Sequence, residues 1–153
     1  SDDLPDLIDD ENFGINLREK VVMIDKFLDD EVVQGKLARK FESIAGNLLI
    51  HGHCHQKSLY GTEGLKRLLS DSQQTVSEIP SGCCGMAGSF GYEKEHYDIS
   101  RKIGENTLIP AVKAMKAGTT IVANGFSCRH QIHHFTGVKP RHWVEVVRPK
   151  PIP

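Results

Sequence analysis

Three short runs of β-forming residues in this 153-residue chain are each followed within a few residues by cysteine. Residues 47–50 (NLLI) precede Cys54, residues 75–79 (TVSEI) precede Cys83 and Cys84, and residues 119–123 (TTIVA) precede Cys128. The stretches between them carry helical periodicity. Residues 64–70 suggest a short helix with Thr62 as its N-cap. Residues 92–117 hold a stripe through His96, Ile99, Ile103, Leu108, Val112 and Met115, which Pro110 must kink or split because it lacks an N–H and crowds the preceding turn. Strands alternating with helices predict an α/β fold, with a small, largely parallel sheet flanked by helices. Sites in such sheets form beyond the carboxyl ends of the strands, so all three cysteine loops are expected at that one edge.

The remaining segments are less regular. Residues 1–16 form an acidic, pattern-free stretch that is expected to pack weakly. From Leu17 a stripe through Val21, Ile24, Phe27 or Leu28, and Val32 predicts a helix ending near Gly35. A last strand is expected at 143–147, before an extended tail with Pro149, Pro151 and Pro153. The organisation expected is an acidic segment and helix over 1–46, a cysteine-rich domain over 47–147 and a Pro-rich tail over 148–153. At this length one buried core is expected.

Charge and hydropathy narrow the function classes. Residues 1–31 have a net charge of −8 and the remainder +7, but the basic residues are scattered and no aromatics interleave with them. No nucleic-acid surface is expected. No apolar run nears the ~18–20 residues of a membrane span, so no transmembrane segment is expected. The opening SDDLPDLIDDEN inverts a signal peptide's basic-then-apolar order, so a cytoplasmic location is expected. There thiols stay reduced, and clustered cysteines serve metal binding or chemistry more often than disulfides.

A single free cysteine is commonly a small buried hydrophobe. Four in loops rich in Gly and His, none inside an apolar run, fit metal better. Thiolates are soft donors that select iron–sulfur, zinc or Cu(I). Adjacent Cys83 and Cys84 repel as thiolates unless a cation lies between them, and Gly82 and Gly85 let the loop turn both inward. Six of the eight histidines flank the cysteines: His51, His53 and His55, then His130, His133 and His134. At least one is expected in or beside the ligand shell, with His130 and His55 the ligand candidates. Arg129 either offsets thiolate charge or is an exposed cation. Two functional classes stay open at this point: an iron–sulfur electron carrier and a zinc-binding interaction module. Thiol–disulfide chemistry at Cys83–Cys84 is disfavoured by the absence of Cys-x-x-Cys.

Three segments, HGHCHQKSLYG (51–61), IPSGCCGMAGSFGYEKEHYDIS (79–100) and NGFSCRHQI (124–132), together resemble the cysteine-rich CCG domain. That domain is found in heterodisulfide reductase B-type subunits, glycolate and lactate oxidation proteins, and the C-terminal part of FAD-linked oxidases. The likeness is greatest to the last group, D-2-hydroxy-acid dehydrogenase-like flavoproteins, and covers roughly residues 47–147. It implies an α/β domain in which Cys54, Cys83, Cys84 and Cys128 bind an iron–sulfur cluster, or zinc in the isolated piece. It further implies flavin-binding and ferredoxin-like domains as partners in the same parent protein, with FAD on a domain that this chain does not carry. On that resemblance the chain is a fragment of an oxidoreductase and not catalytic alone. The stretch 125–128 (GFSC) carries one cysteine where many CCG motifs have Cys-x-x-Cys.

Overall fold

The computed structural model describes residues 20–38, 41–43, 46–70 and 74–149. The acidic segment 1–16, the expected helix start at Leu17 and the end of the tail fall outside them. The chain divides into two compact units, residues 1–38 and 39–153. The first contains α1 (Ile24–Val33), which stops before Gly35 at a φ of +70°. Its buried residues are Asp25 and Asp29, whereas Ile24, Phe27 and Val33 are exposed. Periodicity groups residues on one face but does not say which face is covered, and Asp25 sits in the first turn, where the helix dipole favours a carboxylate.

The second unit is built on three parallel strands, β2 (Asn47–His51), β3 (Val76–Glu78) and β4 (Thr119–Ala123), in the order β3-β2-β4. β2 is central, pairing Ile50 with Glu78 on one side and Leu49 with Ile121 on the other. Parallel strands buried on both faces read as continuous apolar runs, as NLLIH and TTIVA do. The chain at Arg141 extends the sheet: its N–H donates to the Ile121 carbonyl and its own carbonyl accepts from Ala123, both at 2.9 Å. Side chains alternate between the faces. Ile121 and Ala123 belong to a core with Ile79, Met86, Leu108, Ile109, Val112 and Ile132, on which Leu49 packs. Leu48, Ile50 and Val122 are buried on the opposite face.

Helices connect the strands: α2 (Cys54–Leu59) and α3 (Glu63–Leu69) between β2 and β3, then α4 (Tyr97–Asn106) and α5 (Leu108–Lys113) before β4. After β4 comes α6 (Phe126–Thr136). Thr62 does precede α3, but its hydroxyl donates to Glu78 Oε2 at 2.6 Å rather than capping the helix. The long helix expected over 92–117 is split at Thr107, three residues before Pro110, as the missing N–H and ring crowding dictate. In α4 the expected stripe is reversed, for Ile99 and Ile103 are exposed and Ser100 and Gly104 are buried, whereas in α5 its Leu108 and Val112 are buried as expected. The cysteine loop lies so close to α4 that only small residues fit. A Cβ on Gly85 would stand 2.2 Å from the Ser100 carbonyl oxygen, and one on Gly104 would stand 3.1 Å from that of Cys84.

The expected strand at 143–147 begins later. Residues 143–146 form a 3₁₀ turn that buries Trp143 and Val146, and β5 (Val147–Pro149) then pairs antiparallel with β1 (Phe41–Ser43). A capping box makes this turn: His142 Nδ1 accepts the Val144 N–H at 3.4 Å, and Glu145 Oε2 accepts the His142 N–H at 2.6 Å. Three residues per turn then bring Trp143 and Val146 onto one side. No helix among the described residues is long and apolar enough to cross a membrane.

Core and exposed face respond differently to truncation. Ile121→Ala, at 1% exposure, is expected to cost roughly 2–5 kcal/mol. Ile99→Ala, at 51%, should stay within about 0.5 kcal/mol. Denaturant unfolding of both variants checks the reversed stripe, and a large loss for Ile99→Ala would overturn it.

Candidate metal centre

Because β2, β3 and β4 are parallel, their carboxyl ends deliver all four cysteines to one edge. Cys54 opens α2 directly after β2, Cys83 and Cys84 lie in the loop after β3, and Cys128 is in the first turn of α6. All four are free thiols. Cys84 and Cys128 are buried, Cys83 is half-buried and Cys54 is exposed. The Cys128 sulfur is near enough to feel charge on each of the other three. His51 Nε2 or Nδ1, Cys84 Sγ and Cys128 Sγ lie within 4.8 Å of one another, a grouping compatible with a bound metal ion.

Specific contacts hold the loop there. Gly85 takes a φ of +101°, and Ala87, at +40°, is a non-glycine residue in the left-handed region, so this turn is held by its surroundings. The Lys57 ammonium donates to the Ser81 carbonyl, tying α2 to the loop entrance. Ser81 Oγ lies 2.8 Å from His51 Nδ1. The Gly85 N–H donates to Cys83 Sγ at 3.3 Å. From α6, the buried Gln131 Nε2 donates to the Cys84 carbonyl at 3.1 Å and to Ser100 Oγ at 3.0 Å, so one amide joins loop, α4 and α6. Gly125 leaves room at the start of α6, where a Cβ would sit 2.4 Å from the His53 ring and 3.0 Å from Cys128 Sγ.

The thiols are electrostatically unequal. The Cys128 thiol, hydrogen-bonded to Cys84, lowers Cys84 to about 4, aided by His51 and the Met86 backbone amide and opposed by burial. The same hydrogen bond, then burial, pushes Cys128 upward and keeps its proton. Burial also raises Cys83, against the Gly85 amide. One buried thiolate at neutral pH, beside a second sulfur that must lose a proton to join it, suits a soft cation.

The other expected ligand residues are dispersed. Cys54 and Cys83 border the buried group without belonging to the three-atom set, and Cys83 also lines a cleft of about 500 Å³ with Ser81, Lys102, Asn106 and Leu108. His55 is exposed, its ring 6.4 Å from that of His53. His130 packs on Tyr92, ring centroids 4.9 Å apart, and beside His134, whose Nε2 is 2.9 Å from the Tyr97 hydroxyl. Helical spacing explains this: position 130 is turned well away from 128 around the helix axis. Arg129 donates to the carbonyls of Ala123 at 3.0 Å and Asn124 at 2.7 Å, so its charge holds the end of β4. His51 was the residue harder to see in the sequence. Its signal is strand alternation, which puts it on the face of Leu49, opposite Ala123.

Lowering of the Cys84 pKa contributes stability that is present above the unfolded-state thiol pKa and is lost as pH falls through about 4. Ultraviolet thiolate absorbance of the metal-free chain should therefore show one thiolate forming near pH 4. Cys84→Ser should abolish that step. An unchanged step in the variant would show that Cys84 is not the anionic thiol.

No family model matches the chain, and no solved structure matches it significantly. Curated proteins do. The chain is 30% identical over 122 residues to D-2-hydroxyglutarate dehydrogenase of Pseudomonas putida, covering 78% of this chain and 12% of that protein. It is 28% identical over 145 residues to one subunit of the anaerobic glycerol-3-phosphate dehydrogenase of Escherichia coli K12, covering 92% of this chain and 35% of that relative. The Escherichia coli D-2-hydroxyglutarate dehydrogenase is 32% identical over 72 residues, covering 47% of the chain and 7% of the enzyme. The chain thus spans between 7% and 35% of the length of these relatives, and its homologues are parts of dehydrogenases and dehydrogenase subunits.

Proposed function

We propose that this chain is an electron-relay module of a larger FAD-linked 2-hydroxy-acid oxidoreductase, holding an iron–sulfur cluster at the edge defined by Cys54, Cys83, Cys84 and Cys128. The observation that carries the reading is the convergence of two buried sulfurs and a buried imidazole at the carboxyl edge of the sheet, in a chain whose relatives are dehydrogenases. The donors fit: two are soft sulfurs, and a buried nitrogen stands beside them. Bound there, the cluster would supply one-electron carriage. The chain's own residues supply the surroundings. The Gly85 amide bonds the Cys83 sulfur, and the Met86 amide stabilises negative charge on Cys84. Hydrogen bonds to sulfur and burial set the potential of such a centre. The partners in this reading are flavin-binding and ferredoxin-like domains of the parent protein, and the chain alone does not turn over substrate. Four free thiols suit a reducing, cytoplasmic setting.

A second reading, a structural zinc site in an interaction module, has one observation in its favour. Three donor atoms within 4.8 Å match the spread needed around a single tetrahedral ion.

Anaerobically prepared protein separates the two. Iron and acid-labile sulfide, with visible absorption that bleaches on reduction, are expected; a colourless protein with stoichiometric zinc would favour the second reading. Cys84→Ser and Cys128→Ser should each lose the metal and keep the fold, because a serine hydroxyl stays protonated and is a poor donor to a soft metal. Full metal occupancy in both variants would remove these cysteines from the ligand set.

A further inference from the structure

We infer that His51, through Nε2, is the nitrogen ligand of this centre, so that the donor set is mixed nitrogen and sulfur rather than sulfur alone; the inference rests on the reading that the site holds a metal. His51 is the last residue of the central strand and is 1% exposed. An imidazole so placed needs partners for both nitrogens, since a buried polar atom left unpaired loses its hydration with nothing in exchange. Nδ1 has one, Ser81 Oγ at 2.8 Å. Nε2 is buried and makes no hydrogen bond of sound geometry. The sulfurs of Cys84 and Cys128 are its neighbours in the 4.8 Å group.

The Ser81 contact gives the orphaned nitrogen its meaning. When Nδ1 carries the proton and donates to Ser81, Nε2 presents a lone pair toward the sulfurs of Cys84 and Cys128, where one metal ion would be held by all three atoms. Metal-bound histidines show this same division, one nitrogen on the metal and the other donating to an outer partner that sets the tautomer. Ser81 is itself held by the Lys57 ammonium on its carbonyl, and the parallel register beside Ala123 fixes the direction of His51. His55 and His130, exposed and engaged with other rings, have no comparable orphaned atom in the sulfur pocket. A nitrogen ligand lowers the negative charge of the centre by one relative to a fourth thiolate. In iron–sulfur centres that exchange raises the reduction potential.

The test uses the whole 153-residue chain, with His130→Ala and His134→Ala introduced to silence the surface histidine pair, loaded anaerobically with one equivalent of Zn(II). X-ray absorption at the zinc edge counts nitrogen and sulfur scatterers and recognises imidazole by its outer-shell scattering. We expect sulfur plus one imidazole. Adding His51→Gln should erase the imidazole signal and weaken zinc at least ~10-fold, and Ser81→Ala should weaken it by roughly 10-fold while keeping the imidazole. A sulfur-only shell in the parent chain, or an imidazole signal that survives His51→Gln, would overturn the inference and leave the metal reading standing. Failure of the parent chain to take up zinc or, on anaerobic reconstitution, iron and sulfide would bring down both. The first measurement needs no substitution at His51, so a folding defect in that variant does not spare the idea.

Discussion

The parallel register of the central strand against its neighbour governs the chemistry of this molecule. Leu49 stands beside Ile121 and His51 beside Ala123, which sends Leu49 into the core and His51 onto the same face at the strand's end. A slip of one residue would exchange the faces, exposing the imidazole to the wrong side and burying Leu48 where Leu49 belongs. The register also sets where β4 ends and therefore where α6 begins. Cys128 occupies the first turn of that helix, so its sulfur is placed by the sheet as much as by its own backbone.

A second constraint works against the first from above. The loop carrying Cys83 and Cys84 must come down onto the sheet edge, and α4 makes room by presenting Ser100 and Gly104 instead of large apolar side chains. Gln131 then joins loop, α4 and α6 with one buried amide. This explains why Ile99 and Ile103 face outward despite their helical spacing. Close backbone approach takes precedence over apolar burial where a polar, convergent site has to be enclosed.

The electrostatic consequence is a pocket with unequal sulfurs. Cys84 is anionic and Cys128 holds a proton in the hydrogen bond between them, while Lys57 and Arg129 direct their charge to backbone carbonyls rather than to sulfur. The centre is thus organised mainly by amides, by an imidazole and by packing.

The α/β class, the parallel order and the delivery of cysteines to one edge were legible because apolar strand runs, helical spacing and Pro110 are local signals. They depend on backbone geometry that every such chain shares. The 3₁₀ turn at 143–146 was hidden because WVEV suits a strand, and only the hydrogen bonds of His142 and Glu145 override that preference. Among six histidines beside cysteine, the sequence singled out His55, adjacent to Cys54, and His130, two residues past Cys128. Tertiary structure brings His51 to Cys84 and Cys128 instead, because three separate strands meet at one edge and nearness in space there follows register rather than sequence separation.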